Sequence, residues 1–252
     1  MSGAGQRAGQ RAWQRAWQRA RLYAQAGRYY ASFARWLYFA PLTRWPREPS
    51  RAELLRWVQR CAHRTFEVFE LPFSVEGDVA AVAALPNAIY VMNHRSWLDQ
   101  PAMIAAAPHL LHFLGNAKYF EFPVLGRVLR TFGCFPVQRG QASQLTDRLR
   151  RCLEDGGSLA VYPEGTRSRD GAFLPFRSGA YVLAAQTGVP VVPLYLYGAF
   201  EALPPERPFR ELRRGPLRVR VGAPFAVPAS FLDAVDVGPY RDAYIAEWQA
   251  HA

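Results

Sequence analysis

The chain has 252 residues, which is enough for one α/β domain with a substantial buried core and a short appendage. Half of the residues are hydrophobic, which excludes a globally disordered chain, and the formal net charge of +11 predicts anionic partners: acidic lipid headgroups, phosphorylated substrates or nucleic acid. The three cysteines show no paired spacing, which argues against a disulfide framework and favours a reducing compartment. No apolar run has the length of a membrane-spanning helix, and basic residues interrupt the N-terminal region where a signal peptide would be apolar.

The N-terminal segment is strongly basic, since residues 1–47 contain no Asp or Glu and an arginine recurs at every fourth position from Arg7 to Arg19. Trp13 and Trp17 form a second stripe, so the segment predicts a basic amphipathic helix. Indole rings lie at headgroup depth and guanidinium groups pair with lipid phosphates, which favours an anchor on a membrane surface. A disordered basic tail, a solvated or packing helix, and an arm that binds nucleic acid remain alternatives.

Prolines at three positions between residues 41 and 49 mark the end of this segment, so we predict a membrane-surface segment at 1–49 and a folded domain at 50–252. A capping box, Ser50-x-x-Glu53, begins the first helix of that domain. Strand-like runs follow at 73–77, 88–92, 113–114, 133–139, 158–162, 189–196 and 217–221. The last run alternates arginine with apolar residues, as an edge strand does, and a loop is expected from Lys118 to Gly126. The alternation of strands and helices predicts an α/β fold.

The most informative stretch is Ala88–Met92, an apolar run typical of a buried strand, followed directly by Asn93-His94-Arg95-Ser96-Trp97-Leu98-Asp99. A histidine just beyond a buried strand lies where ligands reach an open α/β sheet, and neutral imidazole can accept a proton near pH 7. If a helix begins after His94, Asp99 can fix the tautomer that leaves the other ring nitrogen basic. Ser96-x-x-Asp99 is also a capping box, so a purely structural role stays open.

A second polar turn, Pro163-Glu164-Gly165-Thr166-Arg167-Ser168, follows the strand predicted at Ser158–Tyr162. Glycine lets the backbone approach a ligand closely, and the planar guanidinium of Arg167 matches the geometry of a phosphate. The alternative is an ordinary ion pair between Glu164 and Arg167. A helix that begins after Phe176-Arg177-Ser178-Gly179 could add positive field at its N-terminus.

Metal and covalent chemistry are not expected. His109 and His112 have no further ligands at a suitable spacing, so we predict no metal site. The chain has no Gly-x-Ser-x-Gly motif and no cysteine beside a histidine, which argues against a covalent nucleophile.

Four blocks together resemble the glycerophospholipid acyltransferases, and most closely the 1-acyl-sn-glycerol-3-phosphate (lysophosphatidic acid) acyltransferases. In chain order they are Asn93-His94-x4-Asp99, Gly133…Arg139, Pro163-Glu164-Gly165-Thr166-Arg167-Ser168 and Val189-Pro190-Val191-Val192-Pro193. The resemblance runs from about residue 73 to residue 221. Pro136 stands where a bulky apolar residue is usual, and the loop from Lys118 to Gly126 is shorter than usual. Both departures concern the pocket for the acyl acceptor.

The resemblance implies a mixed, largely parallel sheet flanked by helices and preceded by the basic N-terminal helix. It implies that His94 is the general base for the acceptor hydroxyl and that Asp99 orients it. The residues implied for the acceptor-phosphate site are Arg139, Glu164, Gly165, Thr166 and Arg167, and Lys118 is a further predicted substrate-binding residue.

The implied reaction moves a fatty acyl group from acyl-CoA or acyl-carrier protein to the hydroxyl of a lysophospholipid. The favoured acceptor is 1-acyl-sn-glycerol-3-phosphate, which would give phosphatidic acid, and no cofactor is needed. The protein would work peripherally at the cytoplasmic face of a membrane rich in anionic lipid, with no nucleic-acid partner. Another lysolipid or an amino-acid lipid as acceptor, or a basic nucleic-acid-binding protein, are the alternatives.

Overall fold

The computed structural model describes residues 50–138 and 142–252, together with five helical and exposed positions of the N-terminal segment: Trp13, Trp17, Ala20, Ala24 and Gly27. The rest of the basic helix predicted at 1–49, the predicted domain boundary and Arg139 lie outside the described residues. Among the described helices, none is long and apolar enough to cross a membrane.

The described residues form a sheet flanked by helices. The α-helices are α1 Arg51–Val68, α2 Val79–Ala83, α3 Asp99–Ala106, α4 Pro123–Thr131, α5 Ala142–Glu154, α6 Gly179–Thr187, α7 Ala199–Ala202 and α8 Gly238–Ala250. The strands are β1 Phe73–Gly77, β2 Ile89–Met92, β3 Leu111–Asn116, β4 Phe135–Val137, β5 Ser158–Val161, β6 Val191–Tyr197 and β7 Leu217–Val221. Short 3₁₀ helices span Ala117–Phe120, Phe209–Glu211 and Ala229–Leu232.

The strand order is β1-β7-β6-β2-β5-β3-β4, and every neighbouring pair is parallel except β6 and β7. The predicted mixed, largely parallel sheet is therefore confirmed. The strands β2, β3, β4, β5 and β6 run in the same direction, so the loops after them emerge at one edge of the sheet, here called the carboxyl edge.

Each run predicted as a strand forms one, but three local predictions are wrong. β7 is not an edge strand, because β1 pairs with its outer side. The arginines of β7 alternate with buried apolar residues because only one face of the strand is fully covered. β4 is shorter than predicted because Gly133 adopts a φ of +62° and closes α4, where Cys134 N–H donates to the Leu129 carbonyl oxygen at 2.8 Å. The loop expected after Lys118 is a 3₁₀ helix followed by α4, which Pro123 begins.

The sheet separates two apolar clusters, and β2 contributes to both. Tyr90 and Met92 pack into the cluster on the side of α1 and α3, whereas Ile89 and Val91 pack into the cluster on the side of α5, α6 and α8. All four side chains are at most 1% exposed, which explains why β2 is apolar at every position. The central strand is thus held rigidly, and the loop that follows it begins at a fixed place on the carboxyl edge.

Candidate active site

The two polar turns singled out in the sequence follow neighbouring parallel strands. Val91 of β2 pairs with Val161 of β5, so the chain leaves both strands at the same level of the carboxyl edge. Two hydrogen bonds then join the turns directly, since His94 N–H donates to Glu164 Oε1 at 2.9 Å and Ser168 N–H donates to the His94 carbonyl oxygen at 2.8 Å. Loops 70 residues apart in the chain therefore form one site.

The His94 imidazole is oriented by Asp99, the first residue of α3. His94 Nδ1 lies 2.8 Å from Asp99 Oδ2, which also accepts the backbone N–H groups of Arg95 at 2.6 Å and Ser96 at 2.8 Å. The Asp99 side chain is 1% exposed and the His94 side chain 14% exposed. Because Nδ1 donates to the carboxylate, Nε2 carries the lone pair and can accept a proton from a bound hydroxyl group. The same carboxylate also binds the backbone of the turn, so a structural role for Asp99 in the turn and a role in orienting His94 are compatible.

Tyr162, the residue after β5, stacks on the imidazole. The two ring centroids are 3.9 Å apart and the planes differ by 10°. Burial raises the pKa of the Tyr162 phenol well above its usual range, and its hydroxyl has no hydrogen-bond partner among the described residues. Sequence reasoning missed Tyr162, because a tyrosine at the end of an apolar run is indistinguishable from an ordinary core residue. Its ring fixes the plane in which the histidine lies.

The Glu164 carboxylate connects two backbone segments. Its side chain accepts the N–H of His94 and, through Oε2, the N–H of Leu174 at 3.0 Å, and the residue is 3% exposed. Burial raises the pKa of this carboxyl group, while the two backbone donors oppose that shift. The ion pair with Arg167 considered from the sequence is absent from the described residues, so this geometry makes Glu164 a positioning group, where the sequence predicted a ligand contact.

Two guanidinium groups border the turn that Glu164 begins. The Arg167 group lies 3.9 Å from the centroid of the half-exposed Trp97 ring, and its buried Nε has no partner in the described part of the chain. Gly165 has a φ of +70°, which favours glycine, and a Cβ there would lie 2.5 Å from Arg177 Nε, so this second arginine lies close against the backbone of the turn. Neither guanidinium has a carboxylate partner among the described residues. Arg177 was noted in the sequence only as preceding a helix.

The remaining predicted residues are less closely tied to the site. Thr166 and Gly165 are exposed on the turn, as a ligand contact requires. Lys118 is exposed in the 3₁₀ helix after β3, at the same edge of the sheet, but no described contact joins it to the turns. His109 and His112 bind separate carbonyl oxygens, and the described residues contain no group of three or more His, Cys, Asp or Glu side chains that could hold a metal ion.

Helix α8 contacts the loop that carries His94, which the sequence did not predict. The Tyr244 hydroxyl accepts the Asn93 N–H at 3.1 Å and donates toward the Leu194 carbonyl oxygen at 2.5 Å. The Arg95 guanidinium lies 4.9 to 5.6 Å from three aromatic ring centroids, those of Trp248, Phe173 and Phe200. The residues on both sides of His94 are thus anchored.

Comparison with known proteins gives a consistent result. Residues 75–197 match the Acyltransferase family model. The chloroplastic 1-acyl-sn-glycerol-3-phosphate acyltransferase of Brassica napus is 37% identical over 134 residues, 50% of this chain and 39% of that protein. The human 1-acyl-sn-glycerol-3-phosphate acyltransferase beta is 30% identical over 179 residues, 69% of this chain and 63% of that protein. A lyso-ornithine lipid O-acyltransferase of Pseudomonas aeruginosa is 31% identical over 150 residues, 58% of this chain and 54% of that protein.

The matches cover less than two thirds of each of these relatives. Among solved structures, the 1-acyl-sn-glycerophosphate acyltransferase PlsC of Thermotoga maritima superposes with a TM-score of 0.73 at 23% identity. That alignment covers 94% of this chain and 93% of PlsC, so the two share a fold.

Proposed function

We propose that this chain, whose residues 75–197 match the Acyltransferase family model, transfers a fatty acyl group from a thioester, acyl-CoA or acyl-carrier protein, to the free hydroxyl of a lysophospholipid. The favoured acceptor is 1-acyl-sn-glycerol-3-phosphate, and the product is phosphatidic acid. The observation that carries this proposal is the buried His94–Asp99 pair, bonded at 2.8 Å and joined through its own backbone to a turn bordered by two arginines.

The proposed reaction needs one base and no covalent intermediate. His94 Nε2 takes the proton of the acceptor hydroxyl as its oxygen attacks the thioester carbonyl carbon, and Asp99 stabilises the imidazolium that forms. The C–S bond then breaks, and the imidazolium returns the proton to the leaving thiolate, so the products are an ester and a thiol. A positioned general base of this kind contributes about 10² to 10⁴ in rate.

The phosphorylated acceptor is favoured by the guanidinium groups of Arg167 and Arg177. Each offers a rigid set of donors that matches phosphate oxygens, and each lacks a carboxylate partner among the described residues. Their position beside the loop that carries the histidine would hold the acceptor at one end while its hydroxyl reaches Nε2.

A second acceptor class is supported by the Pseudomonas relative, whose name specifies a lyso-ornithine lipid. A lysolipid with an amino-acid headgroup would present its hydroxyl to the same base. Acceptors with and without a phosphate distinguish the two possibilities, because the arginines should favour the phosphorylated one.

We further propose that the protein lies peripherally on the cytoplasmic face of a membrane. Tyr119, Phe122 and Leu125 lie close together in the chain and are 49%, 58% and 41% exposed, directly after the exposed Lys118. Exposed apolar side chains beside cations are typical of surfaces that enter the headgroup region of an anionic bilayer. The helical positions Trp13 and Trp17 are exposed as well.

The test is turnover of labelled acyl-CoA with a panel of acceptors by the wild type and by His94→Gln. We expect transfer to lysophosphatidic acid by the wild type and a loss of about 10² or more in kcat for the variant. His63→Gln, which changes an exposed histidine of α1, is the matched control and should keep full activity. Circular dichroism checks that both variants fold, and retained turnover by folded His94→Gln would reject the proposal.

A further inference from the structure

A pocket of about 640 Å³ lies beside β4, an edge strand of the sheet, and neither the proposed base nor the two arginines proposed for the acceptor line it. Its lining includes four arginines from three helices, Arg51 of α1, Arg130 of α4, and Arg148 and Arg151 of α5. One acidic residue, Asp155, also lines it. These five charged groups leave the pocket with an excess of three positive charges.

The arginines are held in place without being neutralised. Arg51 donates to the Gly156 carbonyl oxygen at 3.1 Å, Arg130 to that of Phe120 at 2.8 Å, and Arg151 to that of Asp147 at 3.3 Å. The Arg148 guanidinium lies 5.3 Å from the ring centroid of Phe135, which also lines the pocket.

Within the described chain, none of the four has a carboxylate partner. Arg150, on the same helix but outside the pocket, shows the contrast, because it pairs with Asp147 at 3.6 Å and Glu154 at 3.1 Å. The uncompensated charge is therefore a property of the pocket and not of the whole helix.

We propose that this pocket binds the nucleotide part of the acyl-CoA donor, an inference that rests on the proposed function. Coenzyme A carries a diphosphate and a 3′-phosphate, which match the excess positive charge, and guanidinium groups bind phosphate oxygens in pairs. Its adenine ring can stack on the Phe135 ring or on the Arg148 guanidinium plane. A concave pocket of this volume admits a nucleotide but not the folded surface of a carrier protein.

The distance to the proposed base suits this donor. His112, which lines the pocket, pairs with Leu159 of β5, and Leu159 pairs with Ile89 of β2. His94 lies five residues beyond Ile89, which is about 16 Å along the strand direction at about 3.3 Å per residue. Two spacings between neighbouring strands add about 10 Å across the sheet, so His94 lies about 19 Å from His112. The pantetheine arm and diphosphate of coenzyme A have the backbone length of five to six extended residues, also about 19 Å.

The test measures binding of adenosine 3′,5′-bisphosphate by calorimetry to the full chain and to the double variant Arg148→Gln/Arg151→Gln. Both residues are exposed, so the fold should survive, and Arg150→Gln is the matched control. We expect Kd to rise at least about tenfold in the double variant, as for loss of one charge-assisted hydrogen bond, and less than about twofold in the control. The KM for acyl-CoA should rise by a similar factor, with the KM for lysophosphatidic acid unchanged.

Three results would overturn the inference: unchanged nucleotide binding, a rise in the KM for lysophosphatidic acid instead, or an effect confined to acyl-carrier protein as donor. Nucleotide binding is measured without turnover. If the chain binds the bisphosphate through these arginines but transfers no acyl group, the pocket remains a nucleotide site and the proposed function is refuted.

Discussion

At the scale of single residues, one oxygen of Asp99 serves both the turn and the imidazole. Oδ2 accepts from His94 Nδ1 and from two backbone N–H groups, so the carboxylate fixes the loop and the histidine tautomer together. The pattern of a strand followed by His and Asp predicted this pairing. The sequence did not show that the partner turn of β5 would bind the backbone of the same histidine, because that contact depends on which strands are neighbours.

Asp99→Asn tests the importance of the carboxylate charge. The amide can keep the shape of the turn but cannot stabilise an imidazolium, so we expect kcat to fall by about 10² to 10⁴ with little change in acceptor KM. Steady-state kinetics with acyl-CoA and lysophosphatidic acid measure both quantities. Asp233→Asn alters an exposed aspartate and should behave as the wild type. A folded Asp99→Asn enzyme with normal kcat would show that the carboxylate is structural only.

Arg167→Ala tests the assignment of the phosphate end of the acceptor. Removing a guanidinium that binds phosphate should raise the KM for lysophosphatidic acid about tenfold or more and leave the KM for an uncharged lysolipid unaffected. Arg169→Ala, two residues further along the chain, is a control because Arg169 is paired with Glu206 at 3.2 Å. If Arg167→Ala has the same KM as the wild type for the phosphorylated acceptor as well as for the uncharged one, the phosphate binds elsewhere.

At the scale of elements, helix α8 lies beyond the segment that matches the family model, yet it binds the loop that carries the proposed base. Its Tyr244 is buried and bridges Asn93, at the end of β2, to Leu194 of β6. No local pattern in α8 predicts this, since a tyrosine among apolar residues only indicates a packed helix. The contact arises because β6 returns beside β2 and α8 then covers both.

Tyr244→Phe keeps the ring and removes the hydroxyl, leaving the Asn93 N–H without its partner. We expect the free energy of unfolding to fall by about 1–3 kcal/mol, measured by urea denaturation, and kcat to fall while the wild type and variant are both fully folded. Tyr240→Phe on the same helix is the matched control, because its ring stacks on Tyr181 at 4.8 Å and no described hydrogen bond uses its hydroxyl. Lower stability with unchanged kcat would limit Tyr244 to a structural role.

At the scale of the whole molecule, the net charge of +11 fits both a membrane and a nucleic acid, so composition alone could not choose between them. The exposed apolar side chains of the 3₁₀ helix after β3 and of α4 favour the membrane, because lipid buries such groups whereas a phosphate backbone does not.

Liposome binding tests this choice. We expect the full chain to bind vesicles containing anionic lipid with a blue shift of tryptophan fluorescence, and to bind RNA at the same salt concentration more weakly and without that shift. Phe122→Ser/Leu125→Ser should weaken vesicle binding about tenfold or more, since each large side chain buried contributes about 1.5–3 kcal/mol. Leu232→Ser/Val235→Ser removes two other exposed apolar side chains, 40% and 50% exposed, and should have little effect. Tighter binding to RNA would contradict the membrane assignment.

What the sequence determined by itself was local: the apolar run Ala88–Met92 as a buried strand, the five-residue spacing of His94 and Asp99, and the glycine and arginine of the second turn. These follow from side-chain chemistry over a few residues, which the order of the chain preserves. Only the tertiary structure decided that β5 lies beside β2, that Tyr162 and Arg177 join the site, and that arginines from three helices line one pocket. Such contacts depend on strand order and helix packing, which bring together residues far apart in the chain and leave no short-range pattern in the sequence.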